Sequence, residues 1–92
     1  MTTFIMRGTY SDEALESISA ARSEQAAKIV EQSGGRIISA YATMGETDLL
    51  VVMEFPGVNE AIKASVELTK ALGIAFSTVP AVSVEEFDKL IG

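Results

Sequence analysis

Residues 48–55, DLLVVMEF, are apolar on both faces of an extended strand. Leu49, Val51, Met53 and Phe55 fall on one side. Leu50 and Val52 fall on the other, beside Asp48 and Glu54. A strand that is apolar on both sides has to be covered on both sides. A lone hairpin is thereby excluded, and whatever sheet contains this strand needs a layer on each face.

The flanking segments supply the rest of such a sheet. Residues 36–44, RIISAYATM, predict a preceding strand with Ile37, Ser39, Tyr41 and Thr43 on one face and Ile38, Ala40, Ala42 and Met44 on the other. The polar stretch Gly45, Glu46, Thr47, Asp48 joins the two as a hairpin. At the start of the chain TTFIMRGTY alternates, placing Phe4, Met6, Gly8 and Tyr10 opposite Thr3, Ile5, Arg7 and Thr9. Residues 74–82, IAFSTVPAV, predict a fourth strand; Pro80 cannot donate to a ladder, which puts this strand at an edge.

Helices lie between the strands. Ser11 before Asp12 and Glu13 is an N-cap with acidic residues in the first turn, and Gly34-Gly35 closes the helix, predicting residues 12–33. Its apolar stripe is Leu15, Ile18, Ala26, Ile29 and Val30, with Arg22 inside it. Two readings of Arg22 stand. Either the helix bends or breaks near SAARS and Arg22 snorkels to water, or a cation is held over the sheet beside a pocket. A second helix, residues 58–72, has the stripe Val58, Ala61, Ile62, Ser65, Thr69 and Leu72 and ends at Gly73. SVEEF is a capping box, with Ser83 and Glu86 opening a short terminal helix.

The order β-α-β-β-α-β predicts a single α+β domain over residues 1–92. It is ferredoxin-like, with a four-stranded antiparallel sheet in the order 4-1-3-2 and both long helices on one face. The other face carries apolar groups from at least the first three strands and needs a cover. A second copy packed sheet to sheet provides one, giving a homodimer, a dimeric α/β barrel, or a higher homo-oligomer of dimers. Composition agrees: 48% of the 92 residues are hydrophobic and the mean hydropathy is +0.29, more apolar surface than so short a chain hides alone.

Charge narrows the partners. A net charge of −6 speaks against nucleic acid and anionic membrane surfaces. The longest aliphatic run, LLVVM, is too short to span a bilayer, and no signal-peptide pattern precedes Phe4, so a cytoplasmic protein is expected. The chain has no Cys and no His. Thiol chemistry, the usual neutral-pH base, the usual haem ligand and the commonest zinc ligand are therefore missing. No carboxylate pair is spaced for a metal and no Gly-rich phosphate loop is present, so no metal or cofactor is expected.

Taken together, RGTY-SDEAL, the R-x-E-x-A segment at Arg22–Ala26, GGRI from Gly34, Y-x-T-M-G from Tyr41 to Gly45, DLLVVME and SVEEF resemble the GYD-domain family nearly end to end. The resemblance implies a ferredoxin-like fold associated through its sheets. It implies no established activity. Where the family's Gly-Tyr-Asp motif places a tyrosine, this chain has Thr47.

Six residues are candidates for a ligand site: Arg7, Tyr10, Arg22, Tyr41, Thr43 and Asp48. The tyrosines offer an apolar body with one hydroxyl, and the arginines suit a small oxygenated or anionic ligand. Each also has a plainer role in the core, at an interface or, for Asp48, as an acceptor of backbone N–H groups in its turn. Catalytic residues are not assigned. Three function classes fit: a small-molecule-binding or sensor module, which the sequence favours; a cofactor-independent oxygenase- or isomerase-like enzyme; and a purely structural assembly module.

Overall fold

A computed structural model describes residues 1–92. The elements are β1 (Thr2–Tyr10), α1 (Asp12–Glu16), α2 (Ala20–Gln32), β2 (Arg36–Ala42), β3 (Leu49–Phe55), α3 (Val58–Leu72), β4 (Ile74–Ala81) and α4 (Val84–Ile91). The four strands form one sheet in the order β2-β3-β1-β4, and every neighbouring pair is antiparallel. This is the predicted 4-1-3-2 order of a ferredoxin-like α+β fold, with β4 and its Pro80 at the edge.

The core lies between the sheet and the pair α2 and α3. Register places Phe4 opposite Met53, Met6 opposite Val51 and Gly8 opposite Leu49 on the helix-covered face. Phe4 and Phe55 meet edge to face at 6.0 Å. Val30 from α2 and Ala61, Ala64, Leu68 and Leu72 from α3 close over them, and Ile74 of β4 completes a core cluster of 11 residues. Each large side chain so buried contributes about 1.5–3 kcal/mol. Gly35 is held to glycine by this packing, because a Cβ there would stand 2.4 Å from the Phe55 ring and 2.6 Å from the Glu54 carbonyl oxygen.

Three local expectations are corrected. The helix expected over residues 12–33 is two helices, and the break falls at the start of SAARS, where one of the two readings of Arg22 put it. Ser17 closes α1, and Ser19 opens α2 by accepting the Arg22 N–H at 3.3 Å. Two serines within three residues offer the backbone competing partners, and the helix breaks between them. Leu15 and Ile18, expected in the buried stripe, are consequently exposed, whereas Ala26, Ile29 and Val30 do pack on the core.

The second correction concerns β2, whose register shifts between Ile37 and Ser39. Ile37 pairs with Met53 and Ser39 already pairs with Val52, so Ile38 is the extra residue of a β-bulge. Beyond it the faces exchange. Ile37 and Ala40 point to the helices, while Ser39 and Tyr41 point to the open side, so Ile37 and Tyr41 do not share a face. The strand also ends at Ala42, leaving Thr43 and Met44 in the connection.

In α3, the third correction, the buried stripe is Ala61, Ala64, Leu68 and Leu72. Val58, Ile62 and Thr69, expected inside, are exposed, and Val58 and Ile62 form an outward stripe with exposed Val66. The two alanines let the helix approach the sheet closely, which larger residues at 58 and 62 would prevent.

The face of the sheet away from the helices bears Ile5, Leu50, Val52, Val79 and Tyr41, and no element of the chain covers it. Helix α4 has a Ser83 cap accepting the Glu86 N–H at 3.1 Å, yet it buries none of its residues. Val84, Phe87, Leu90 and Ile91 are all exposed along it. The exposed large apolar residues of the chain outnumber the 11 of its core.

Candidate functional site

Between α2, α3 and the sheet the core stays partly open, leaving a cavity of about 130 Å³. Of its 15 lining residues 12 are hydrophobic, including Leu49, Val51, Ile74, Phe76 and Leu72. Small residues account for the space. Ala26 on α2 and Ala40 on β2 leave room above and below, and the helix break at residues 17–19 sets Ile18 and Ser19 at its edge. Gly8 matters in the sheet beneath. A Cβ there would stand 2.9 Å from Phe76 and 3.0 Å from Ile74, so glycine lets both side chains turn over β1.

Polar groups gather at one end. Ser19, Arg22 and Ser23 are the three polar residues of the lining, and Tyr10, one of the twelve hydrophobic ones, adds a phenol hydroxyl. Arg22 is partly buried, and its guanidinium donates to the Leu72 carbonyl oxygen at the end of α3. That carbonyl is among those a helix C-terminus leaves without an intrahelical donor, and a cation there also faces the negative end of the helix dipole. No carboxylate pairs with Arg22: the ion pairs of the chain are Arg36 with Glu54 at 2.7 Å and Lys89 with Glu85 at 3.7 Å.

Arg22 and Leu72 also border a second, polar cleft of about 280 Å³ on the surface. Ser11, Glu13, Ser17, Thr69, Lys70 and Gly73 form its remaining polar rim and floor. Arg22 thus stands between an apolar interior and a wet opening.

Asp48 is placed differently. Its Oδ2 accepts the Tyr10 backbone N–H at 3.0 Å, its own N–H donates to the Gly8 carbonyl at 2.8 Å, and its carbonyl accepts the Thr43 N–H at 2.9 Å. The Thr43 hydroxyl donates to the Thr47 carbonyl at 2.7 Å. Two polar groups of Asp48 therefore fasten the hairpin to the end of β1 and a third closes the hairpin on itself, and the donor met by the carboxylate lies on another strand instead of in its own turn.

The six candidate residues separate into three places. Tyr10 and Arg22 are at the cavity. Thr43 and Asp48 organise the hairpin. Arg7 and Tyr41 lie on the open face, in one row across the strands: Tyr41 opposite Leu50, Leu50 opposite Arg7, Arg7 opposite Ser77. Sequence reasoning missed Ser19, Ser23 and the Leu72 carbonyl. Ser19 left a signal, being an N-cap residue type just ahead of a cation in an apolar stripe; the Leu72 carbonyl left none. The chain has no group of three or more side chains suited to hold a metal ion, and no helix is long and apolar enough to cross a membrane.

A family model described as GYD domain matches residues 4–91. No curated protein matches the chain significantly. Among solved structures, the Mycobacterium tuberculosis leucine response regulatory protein (LrpA) is similar, with a TM-score of 0.64 at 10% sequence identity. The match covers 89% of this chain and 51% of that one, so the chain spans about half the length of that regulator. The likeness is one of fold.

Proposed function

The chain belongs to the GYD-domain family, and from that premise we propose that it is a small-molecule-binding or sensor module built as a sheet-packed homo-oligomer. The cavity beneath α2 carries the reading: an apolar chamber with a few polar groups converging at one end is the usual form of a small-ligand site. The similar fold in a protein whose name makes it a leucine response regulator favours a sensor over an enzyme.

Assembly follows from the uncovered apolar surface. A four-stranded sheet about seven residues long offers a footprint of roughly 450 Å². A stable interface takes about 800 Å² from each partner, so one sheet face falls short. The stripe Val84, Phe87, Leu90 and Ile91 follows directly from the edge strand β4 and supplies the difference when it packs on the same second copy. The partner is thus another copy of this chain, and the charge of −6 stands against nucleic acid.

Native mass spectrometry of the purified protein tests both parts. A retained small molecule on a dimeric or larger species is expected; repeated emptiness, even after incubation with small-molecule extracts, leaves only the assembly role.

A further inference from the structure

We infer that the cavity takes a compact apolar carboxylate, with its tail among Leu49, Val51 and Phe76 and its anionic head on the Arg22 guanidinium. The inference rests on the cavity being a ligand site, as proposed above, and adds the class of ligand.

Size limits the tail. A cavity of about 130 Å³ is close to the apolar cavity of about 150 Å³ that admits benzene. It takes a body of roughly six heavy atoms and excludes nucleotides and other extended ligands. The wall chemistry limits the charge. Twelve of 15 lining residues are hydrophobic, so a multiply charged oxyanion would lose hydration that the walls cannot replace. A carboxylate with an apolar tail keeps its single charge at the polar end.

Arg22 supplies the counter-charge. Of the five N–H donors of a guanidinium, one meets the Leu72 carbonyl and no carboxylate lies in ion-pair range of the rest. Planar donor pairs of this kind match a carboxylate edge. Ser19 and Ser23 stand at the same end with hydroxyls. The approach is favourable too. The surface cleft that opens onto Arg22 carries Arg22 and Lys70 against Glu13 alone, a local positive excess on a chain of net charge −6.

The test compares acids with isosteric amides on the intact protein. Hexanoate and benzoate, then hexanamide and benzamide, are titrated while backbone amide resonances are followed by NMR. The expected result is saturable shifts at Arg22, Leu49 and Phe76, unaccompanied by shifts at Val84 and Phe87, with each acid binding about tenfold tighter than its amide. Arg22→Gln should remove the preference for the acid. Ala26→Leu, which fills the cavity and keeps Arg22, should abolish binding of both. Equal affinity of acid and amide for the unmodified protein overturns the carboxylate assignment and leaves the cavity as a ligand site. If none of the four probes shifts a cavity resonance, the cavity reading itself falls. The wild-type comparison decides even where a variant fails to fold.

Discussion

The Asp48 carboxylate accepts the backbone N–H of Tyr10 at 3.0 Å, joining residues 38 apart in sequence. This bond continues the β1–β3 ladder one step past its last backbone pairing, Gly8 opposite Leu49. Without it the Tyr10 donor, partly buried, loses its partner. Asp48→Asn keeps an oxygen acceptor and should lose under about 1 kcal/mol. Asp48→Ala should lose about 1–2 kcal/mol. Urea denaturation of the pair measures this, and an alanine variant as stable as the parent would show that water replaces the carboxylate.

Gly35 tests the tightness of the β2 entry. The clash there is with a buried ring and with backbone, neither of which moves freely. Gly35→Ala is expected to cost about 2–3 kcal/mol, the range of overpacked cores. Gly45→Ala provides the contrast: its φ of +136° disfavours a side chain, but nothing lies within 4 Å. A thermal melt of Gly35→Ala matching the parent would mean that β2 shifts without penalty.

The orientation of α3 separates two neighbouring apolar sets. Leu68 is 1% exposed and Ile62 is 57% exposed. Leu68→Ala should destabilise by about 2–4 kcal/mol. Ile62→Lys should stay within about 0.5 kcal/mol of the parent. Equal losses would place Ile62 in a contact made only within the oligomer, which unfolding curves at several protein concentrations would reveal.

Oligomerisation can be separated from folding. Val52 on the open face and Phe87 on α4 both have apolar surface with no cover inside the chain. Sedimentation equilibrium at micromolar concentration should show no dominant 9.8 kDa species for the parent protein. Val52→Glu and Phe87→Glu should each shift it toward the monomer by burying an unpaired charge at the interface. A parent protein that sediments as a clean monomer would remove the case for sheet packing. A Phe87→Glu variant that stays fully associated would remove α4 from the interface while leaving the sheet.

What the sequence determined by itself is what short-range physics controls. Strand alternation in β1, the caps at Ser11 and Ser83, the left-handed Gly73 with φ of 70° and the edge position implied by Pro80 depend on residues within a few positions of one another. Element order followed from them, and strand order followed from element order through the chirality of split βαβ units. Even the misfit of Arg22 in an apolar stripe was visible. Its partner was not, because the Leu72 carbonyl is 50 residues away and every residue presents a carbonyl. The same holds for the face of Tyr41. Alternation carried through Ile38 placed it with Ile37; pairing with β3 inserted a bulge and moved Tyr41 to the open face, apart from Tyr10 and Arg22. In α3 both sides carry apolar residues, so periodicity could not choose between Val58, Ile62 and Val66 and the smaller Ala61 and Ala64. The sheet chose the alanines, because close approach buries more surface than large residues held at a distance. The cavity is likewise a tertiary outcome: Ala26 and Ala40, unremarkable one by one along the chain, line it from two different elements, and Gly8 on a third makes room for the Phe76 and Ile74 side chains that wall it.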